Sequence, residues 1–175
     1  YEIADRTRGI TCGGIGAVQM LVQKLELDKA IDSRLRIFKL HNPYFESDHV
    51  LNIAYNILCD GDCLEDIEKL RNDENYLDAV GAERIPDPTT AGDFCRRFSA
   101  NQVETLQDII NDIRLKVWDQ QDPAFFKEAI IDADGTIAET TGECKEGMDL
   151  SYKGLWGYHP LLISLANTGE PLFLV

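Results

Sequence analysis

No apolar run in this 175-residue chain approaches the roughly 18 residues a membrane-spanning helix needs, which excludes that class. No signal peptide is expected from the opening YEIADRTRGI, which has neither a basic n-region nor an apolar h-region. There is no initiator Met, and the closing PLFLV stops inside what reads as a strand, so the chain is expected to be a piece of a longer protein. Cations are scarce. Lys and Arg number 17 against 31 Asp and Glu, a formal charge of −14. Such a chain is a poor non-specific nucleic-acid binder, since neutralising phosphates needs Lys and Arg. The deficit is uneven: residues 1–40 carry seven basic and five acidic groups, residues 41–95 three and thirteen. Contact with a polyanion is therefore expected from the first forty residues rather than the middle.

The five cysteines, Cys12, Cys59, Cys63, Cys95 and Cys144, are odd in number and irregular in spacing. That predicts reduced thiols in a cytosolic protein rather than a disulfide framework. Cys59 and Cys63, with His41 and His49 upstream, lack the second close ligand pair of a zinc site, so buried helix cysteines are the expectation. A composition 44% hydrophobic and 27% charged belongs to a globular chain with a core.

The periodicity divides the chain near Pro123. Before it the pattern is helical. Ile15, Val18, Leu21, Val22 and Leu25 share one helix face, and Leu27, Ile31 and Leu35 form a second short one. Ser47 is the expected N-cap of a helix that Asp60-Gly61 breaks. Asp62 with Glu65 resembles a capping box, and Asp87-Pro88 opens a helix running to Phe98. A long helix carries Val103 to Val117, and Asp122-Pro123 ends it. Beyond Pro123 the signal is strands. Ala129-Ile130-Ile131 leads into Asp132-Ala133-Asp134-Gly135-Thr136, and a Gly-rich, charged stretch follows from Gly142 to Gly157. Leu161–Leu165 and Leu172–Val175 then flank Asn167-Thr168-Gly169-Glu170, a hairpin signal. The expected fold class is α+β: a helical N-terminal domain over 1–122, then three antiparallel strands over 124–175.

Chemistry concentrates at Asp132 and Asp134. Two carboxylates two residues apart on a strand point to one face, where they can share a hard divalent cation such as Mg²⁺. The plain alternative is an Asp-Gly turn closing a strand. Two enzyme classes use such a pair. A D-x-D-G-T motif serves haloacid-dehalogenase-type phosphatases as aspartyl nucleophile and acid/base. An Asp on the first strand of an RNase H-like sheet instead holds one of two metal ions that activate attack on a DNA phosphate.

The surroundings of the motif favour the second class. D-A-D-G-T, followed by Y-K-G-L-W-G-Y-H-P-L from Tyr152 to Leu161 and L-I-S-L-A-N-T-G-E-P-L from Leu162 to Leu172, is similar to the bacterial DDE insertion-sequence transposases. The upstream P-D-P-T-T-A-G-D-F-C-R-R-F also resembles their helical N-terminal part. The resemblance implies cutting at the inverted repeats of a mobile element and transfer of the freed ends to target DNA. It implies two Mg²⁺ or Mn²⁺ ions about 4 Å apart, held by Asp, Asp and Glu. Asp134 matches the first of these, with Asp132 as second choice. The later Asp and Glu are expected beyond Val175, which would leave this stretch inactive alone. DNA and a second transposase copy are the implied partners, and a cytoplasmic, nucleoid-associated location follows. Lys153, Tyr158 and His159 are candidates to touch DNA phosphate, each with a structural alternative: a solvated Lys, a packed Tyr, a capping His. Trp156 is a candidate base-stacking residue or a buried aromatic. Arg34, Arg36 and Lys39 form the densest basic cluster, a candidate element-end surface or a solvated helix face, and Arg97 is a DNA candidate or an acid's partner. A truncated remnant that binds DNA or oligomerises is the non-enzymatic alternative.

Overall fold

The computed structural model describes residues 9–39, 43–140, 145 and 147–175. His41 and Cys144 lie outside the described residues. Among the described residues the chain is an α+β protein, with seven α-helices followed by two small antiparallel sheets. It divides into two compact units, 1–116 and 117–175. No helix among the described residues is long and apolar enough to cross a membrane.

The first unit is built from α1 (Ile15–Leu25), α2 (Leu27–Arg34), α3 (Glu46–Leu58), α4 (Ile67–Arg71), α5 (Glu74–Val80), α6 (Pro88–Cys95) and most of α7 (Ala100–Trp118). Their apolar faces form two clusters. Ile15, Val22, Tyr55, Ile67, Leu70, Tyr76 and Val80 make one. Ile31, Leu35, Phe94 and Ile109 make the other. The 3.6-residue period of α1 explains why Ile15 and Val22 are inside. Leu21, expected on the same face, is more than half exposed.

Several expected boundaries move because a neighbouring carboxylate takes over the capping. Phe45, not Ser47, precedes α3, and its N–H donates to the Asp48 side chain at 2.8 Å. Ser47 lies inside the helix, where its N–H and hydroxyl donate to Asp32 of α2 at 2.8 and 2.9 Å, tying the two helices together. Burial raises the Asp32 carboxyl above its ordinary pKa, against the opposing effect of the Ser47 bonds. The Asp62–Glu65 box is replaced by Asp66, which accepts from the Asp62 and Cys63 N–H groups at 3.0 and 3.3 Å. The Lys69 ammonium and these donors hold the Asp66 carboxyl well below the usual carboxylate range. Asp87 does cap α6, accepting from the Thr90 N–H at 2.9 Å, but that helix ends at Cys95 rather than Phe98. Helix α5, which the apolar pattern did not announce, starts at Asp73, whose carboxylate accepts from the Asn75 and Tyr76 N–H groups.

The cysteines also depart from expectation. Cys12 and Cys59 form a disulfide with a Cα–Cα separation of 5.3 Å, across 47 residues of sequence. Thr11 donating to Asp73 and Asn75 donating to the Gly9 carbonyl hold the segment before α1 over this part of the unit. Only tertiary packing brings the two thiols together. Cys63 and Cys95 are free but exposed, not buried.

The Tyr76 hydroxyl lacks what burial demands. Tyr76 is fully buried, and its hydroxyl has no hydrogen-bond partner among the described residues. Burial raises its pKa to about 12. An unpaired buried hydroxyl costs about 1–3 kcal/mol. Tyr76→Phe is therefore expected to stabilise the helical unit by about 1 kcal/mol in urea unfolding followed by helical circular dichroism. A destabilised variant would reveal a partner for that oxygen.

The second unit opens with a 3-10 turn, Pro123–Lys127, capped by Asp122, which accepts from the Ala124 N–H at 2.8 Å. Six strands follow: β1 (Ile131–Gly135), β2 (Ala138–Glu139), β3 (Asp149–Leu150), β4 (Trp156–Tyr158), β5 (Leu161–Leu165) and β6 (Glu170–Leu174). One sheet has the order β1-β5-β6, all antiparallel. The other, β2-β4-β3, occupies the stretch expected as a Gly-rich connection. The β5–β6 turn uses Gly169 at φ 71°, in the left-handed region that glycine adopts freely. A register shift between Ile163 and Ser164 sets Pro171 opposite Ser164. Proline cannot donate to a ladder, so an irregular register is where it fits. The Trp118 indole N–H donates to the Glu170 carboxylate at 3.0 Å.

Candidate active site

Asp132 and Asp134 lie on β1 and, by the two-residue strand period, share a sheet face. The ladder pairs Asp132 with Ser164 and Asp134 with Leu162. Both carboxylates are exposed, and no hydrogen bond or ion pair engages them among the described residues. No group of three or more His, Cys, Asp or Glu suited to a metal ion occurs among the described residues. A cation bound here would have these two side chains as its protein ligands.

Strand β1 is pinned at both ends. Before it, the Ile130 N–H donates to the Asn167 side chain at 2.8 Å, and the Ala166 N–H donates to the Ile130 carbonyl at 2.8 Å. The Asn167 amide also reaches the Glu128 carbonyl at 3.3 Å. After it, the Thr136 N–H donates to the Pro160 carbonyl at 3.0 Å. Asn167 is a turn residue by its sequence context, and its side chain fixes the start of the acidic strand. Its place in the L-I-S-L-A-N-T-G-E-P-L segment was the available signal. Among the described residues β1 has one paired neighbour, β5, so it is an edge of its sheet rather than a central strand.

The Y-K-G-L-W-G-Y-H-P-L segment is a turn, a short strand and a corner. Ser151 to Gly154 close the turn: the Gly154 N–H donates to the Ser151 carbonyl at 2.9 Å, and Gly154 sits at φ 76°. The Ser151 hydroxyl accepts from the Leu155 N–H at 3.0 Å. Lys153 is exposed there, with its ammonium 5.4 Å from the Tyr152 ring centroid. Gly157 is buried in β4 beside β2, where an added Cβ would stand 2.5 Å from the Ala138 carbonyl oxygen. Tyr158 pairs with Ala138 and is partly exposed, and His159 is exposed at the corner before β5. Because Gly135 pairs with Leu161 and Asp134 with Leu162, this corner follows the same end of β1 that carries Asp134. Trp156 is 53% exposed, so the buried-aromatic reading does not hold.

The basic candidates of the first unit have intramolecular contacts. Arg34 pairs with Asp112. Arg36 donates to the Asp32 carbonyl at 2.7 Å. Arg97 rests over the Phe38 ring at 5.4 Å, while its neighbour Arg96 takes the Asp93 carboxylate at 2.7 Å. Lys39 is exposed. No family model, no curated protein and no solved structure matches the chain.

Proposed function

We propose that this chain belongs to a DDE transposase, with residues 124–175 forming the start of an RNase H-like catalytic domain and Asp134 holding a catalytic Mg²⁺ or Mn²⁺. The observation that carries this reading is the antiparallel β1-β5-β6 sheet with the D-x-D pair on its first strand and the Tyr158–Pro160 corner beside the Asp134 end. A carboxylate anchored on a strand, with a His on the adjoining corner, suits a cation and a DNA phosphate together. The metal would polarise the phosphate and generate the attacking oxygen. Asp132 and Asp134 would position it, and Lys153, Tyr158 and His159 would meet the strand. Arg34, Arg36 and Arg97 would contribute to element-end binding from the helical unit. A synapsed homodimer on DNA in the bacterial cytoplasm completes the reading. The phosphatase alternative calls for a parallel, doubly wound sheet, and the antiparallel pairing of β1 gives it no support.

Metal affinity tests the proposal. Two carboxylates rarely dehydrate Mg²⁺, so binding should be weak, in the millimolar range. Paramagnetic Mn²⁺ added to the labelled protein is expected to broaden the amides of Asp132–Gly135 and, across the ladder, Leu161–Ser164. Asp134→Asn should abolish the effect. Broadening confined to the acidic 60–74 region, or a beryllofluoride adduct on Asp132, would overturn it.

A further inference from the structure

The Cys12–Cys59 disulfide lies in a setting open to exchange. Both cysteines are partly exposed, and both line an open depression of about 580 Å³ on the helical unit. The buried cluster around Ile15, Tyr55, Ile67 and Tyr76 contains neither of them; they pack at its margin. The segment that the bond fastens is otherwise lightly tied. Beyond the packing of Ile10, Thr11 donates to Asp73 at 3.0 Å and the Asn75 side chain donates to the Gly9 carbonyl at 2.7 Å, both at the surface. Disulfides outside a sealed core are the ones a thiol can reach and reduce.

The rim of the depression is acidic. Asp60, Asp66, Asp73 and Glu74 line it against a single ammonium, Lys69, which pairs with Asp66. The Lys69 ammonium holds the Asp66 carboxyl below its ordinary range, and the Tyr76 N–H does the same for Asp73, so both stay ionised. Exchange proceeds through a thiolate, and a thiolate that carries further negative charge enters such a field uphill. Cys63, four residues past Cys59, is no internal reductant. Its thiol donates to the Asp66 carboxylate at 3.4 Å, a bond that raises its pKa and keeps it protonated. The attacking sulfur therefore comes from outside the chain.

We propose that Cys12–Cys59 is a reducible latch, selective for thiol reductants that carry a positive charge, and that opening it frees the segment ahead of α1. The incoming thiolate attacks one of the two sulfurs, forms a mixed disulfide and expels the other sulfur as a thiolate, which takes up a proton. A second thiol of the reductant then cleaves the mixed disulfide. Two reductant thiols are oxidised to one disulfide, and the protein gains two S–H groups. The latch stands apart from the metal site and from the transposase reading.

The test is the rate at which the folded 175-residue protein is reduced in EDTA, read by alkylation and peptide mapping of Cys12 and Cys59. Cysteamine, whose thiolate form is a zwitterion, is compared with 3-mercaptopropionate, whose thiolate form is a dianion. Each rate is divided by the same thiol's rate on hydroxyethyl disulfide, which removes the difference in intrinsic nucleophilicity. At low ionic strength the corrected ratio should favour cysteamine about tenfold. In 1 M NaCl, where the Debye length is ~3 Å, it should fall below about twofold. Asp60→Asn combined with Glu74→Gln removes two rim charges and should lower the ratio to about threefold at unchanged helical circular dichroism. Reduction should also shift the Asn75 side-chain amide resonance, because its contact with the Gly9 carbonyl is lost. A corrected ratio near one at low salt overturns the charge selection, and the unmutated protein is enough to show it. Alkylation of Cys12 and Cys59 in protein purified without reductant, a bond that resists both thiols, or an unmoved Asn75 amide overturns the latch. Neither result bears on the Mn²⁺ broadening at Asp132–Gly135.

Discussion

Glu46→Ala should destabilise the helical unit by about 2–5 kcal/mol, the largest effect expected of any single polar substitution described above. Glu46 is fully buried at the start of α3, and one carboxylate oxygen accepts from both the Ile37 and Phe38 N–H groups at 3.0 Å. Those amides follow α2, where the chain has left helical geometry and has no ladder to satisfy them. Truncation leaves two partly buried donors unpaired and opens space beside a close-packed region. Glu46→Gln retains a carbonyl acceptor and should cost less than half as much. Urea unfolding read by circular dichroism at the helical band reports this unit, because α1–α6 and most of α7 lie in it. Equal stability of the Ala and Gln variants would show that the two amides do not depend on this carboxylate.

Gly157→Ala should collapse the β2–β4 pairing, at a local cost of about 3 kcal/mol. The new methyl would stand 2.5 Å from the Ala138 carbonyl oxygen and 3.1 Å from the Glu139 Cα. Both are backbone atoms, so no side chain can swing away to relieve the contact. Gly154→Ala is the informative contrast. Nothing lies within 4 Å of its would-be Cβ, and only the left-handed backbone at φ 76° resists the change, a cost of about 1–2 kcal/mol. Amide hydrogen exchange at Thr140, whose N–H donates to the Trp156 carbonyl at 3.1 Å, reports the pairing directly. Its protection should vanish in Gly157→Ala and survive in Gly154→Ala. Retained protection in Gly157→Ala would mean that β2 and β4 can separate without losing their hydrogen bonds. Because β4 leads into the Tyr158–Pro160 corner, the same substitution should disorder the corner beside Asp134. The two motif glycines thus have different physical reasons, one steric and one conformational.

How far the site could be read in advance differs residue by residue. Asp132 and Asp134 were legible because a strand period of two needs no partner to be recognised. Asn167 was not, since its reach to Ile130 crosses a hairpin whose register the local pattern leaves open. The ring cluster around His49 was equally hidden. Phe38, Tyr44 and His49 fall within twelve residues, but Phe94 joins them from α6, and nothing in their spacing announces that four rings will meet. Ser47 misled because a good capping residue was claimed by Asp32 from another helix, a competition that only packing resolves. Helix α5 escaped because its start is a side-chain cap at Asp73 rather than an apolar stripe.

The α+β class, the helices over α1, α2 and α7, the hairpin around Gly169 and the acidic pair on its strand all follow from local rules: apolar periodicity, turn residues and alternation along a strand. The order β1-β5-β6, the second sheet folded from a Gly-rich stretch, the Cys12–Cys59 bond and the ring cluster around His49 were decided by tertiary structure alone. Each depends on residues far apart in the chain meeting in space. The free energy that brings them together comes from burying surfaces whose partners a linear pattern does not name.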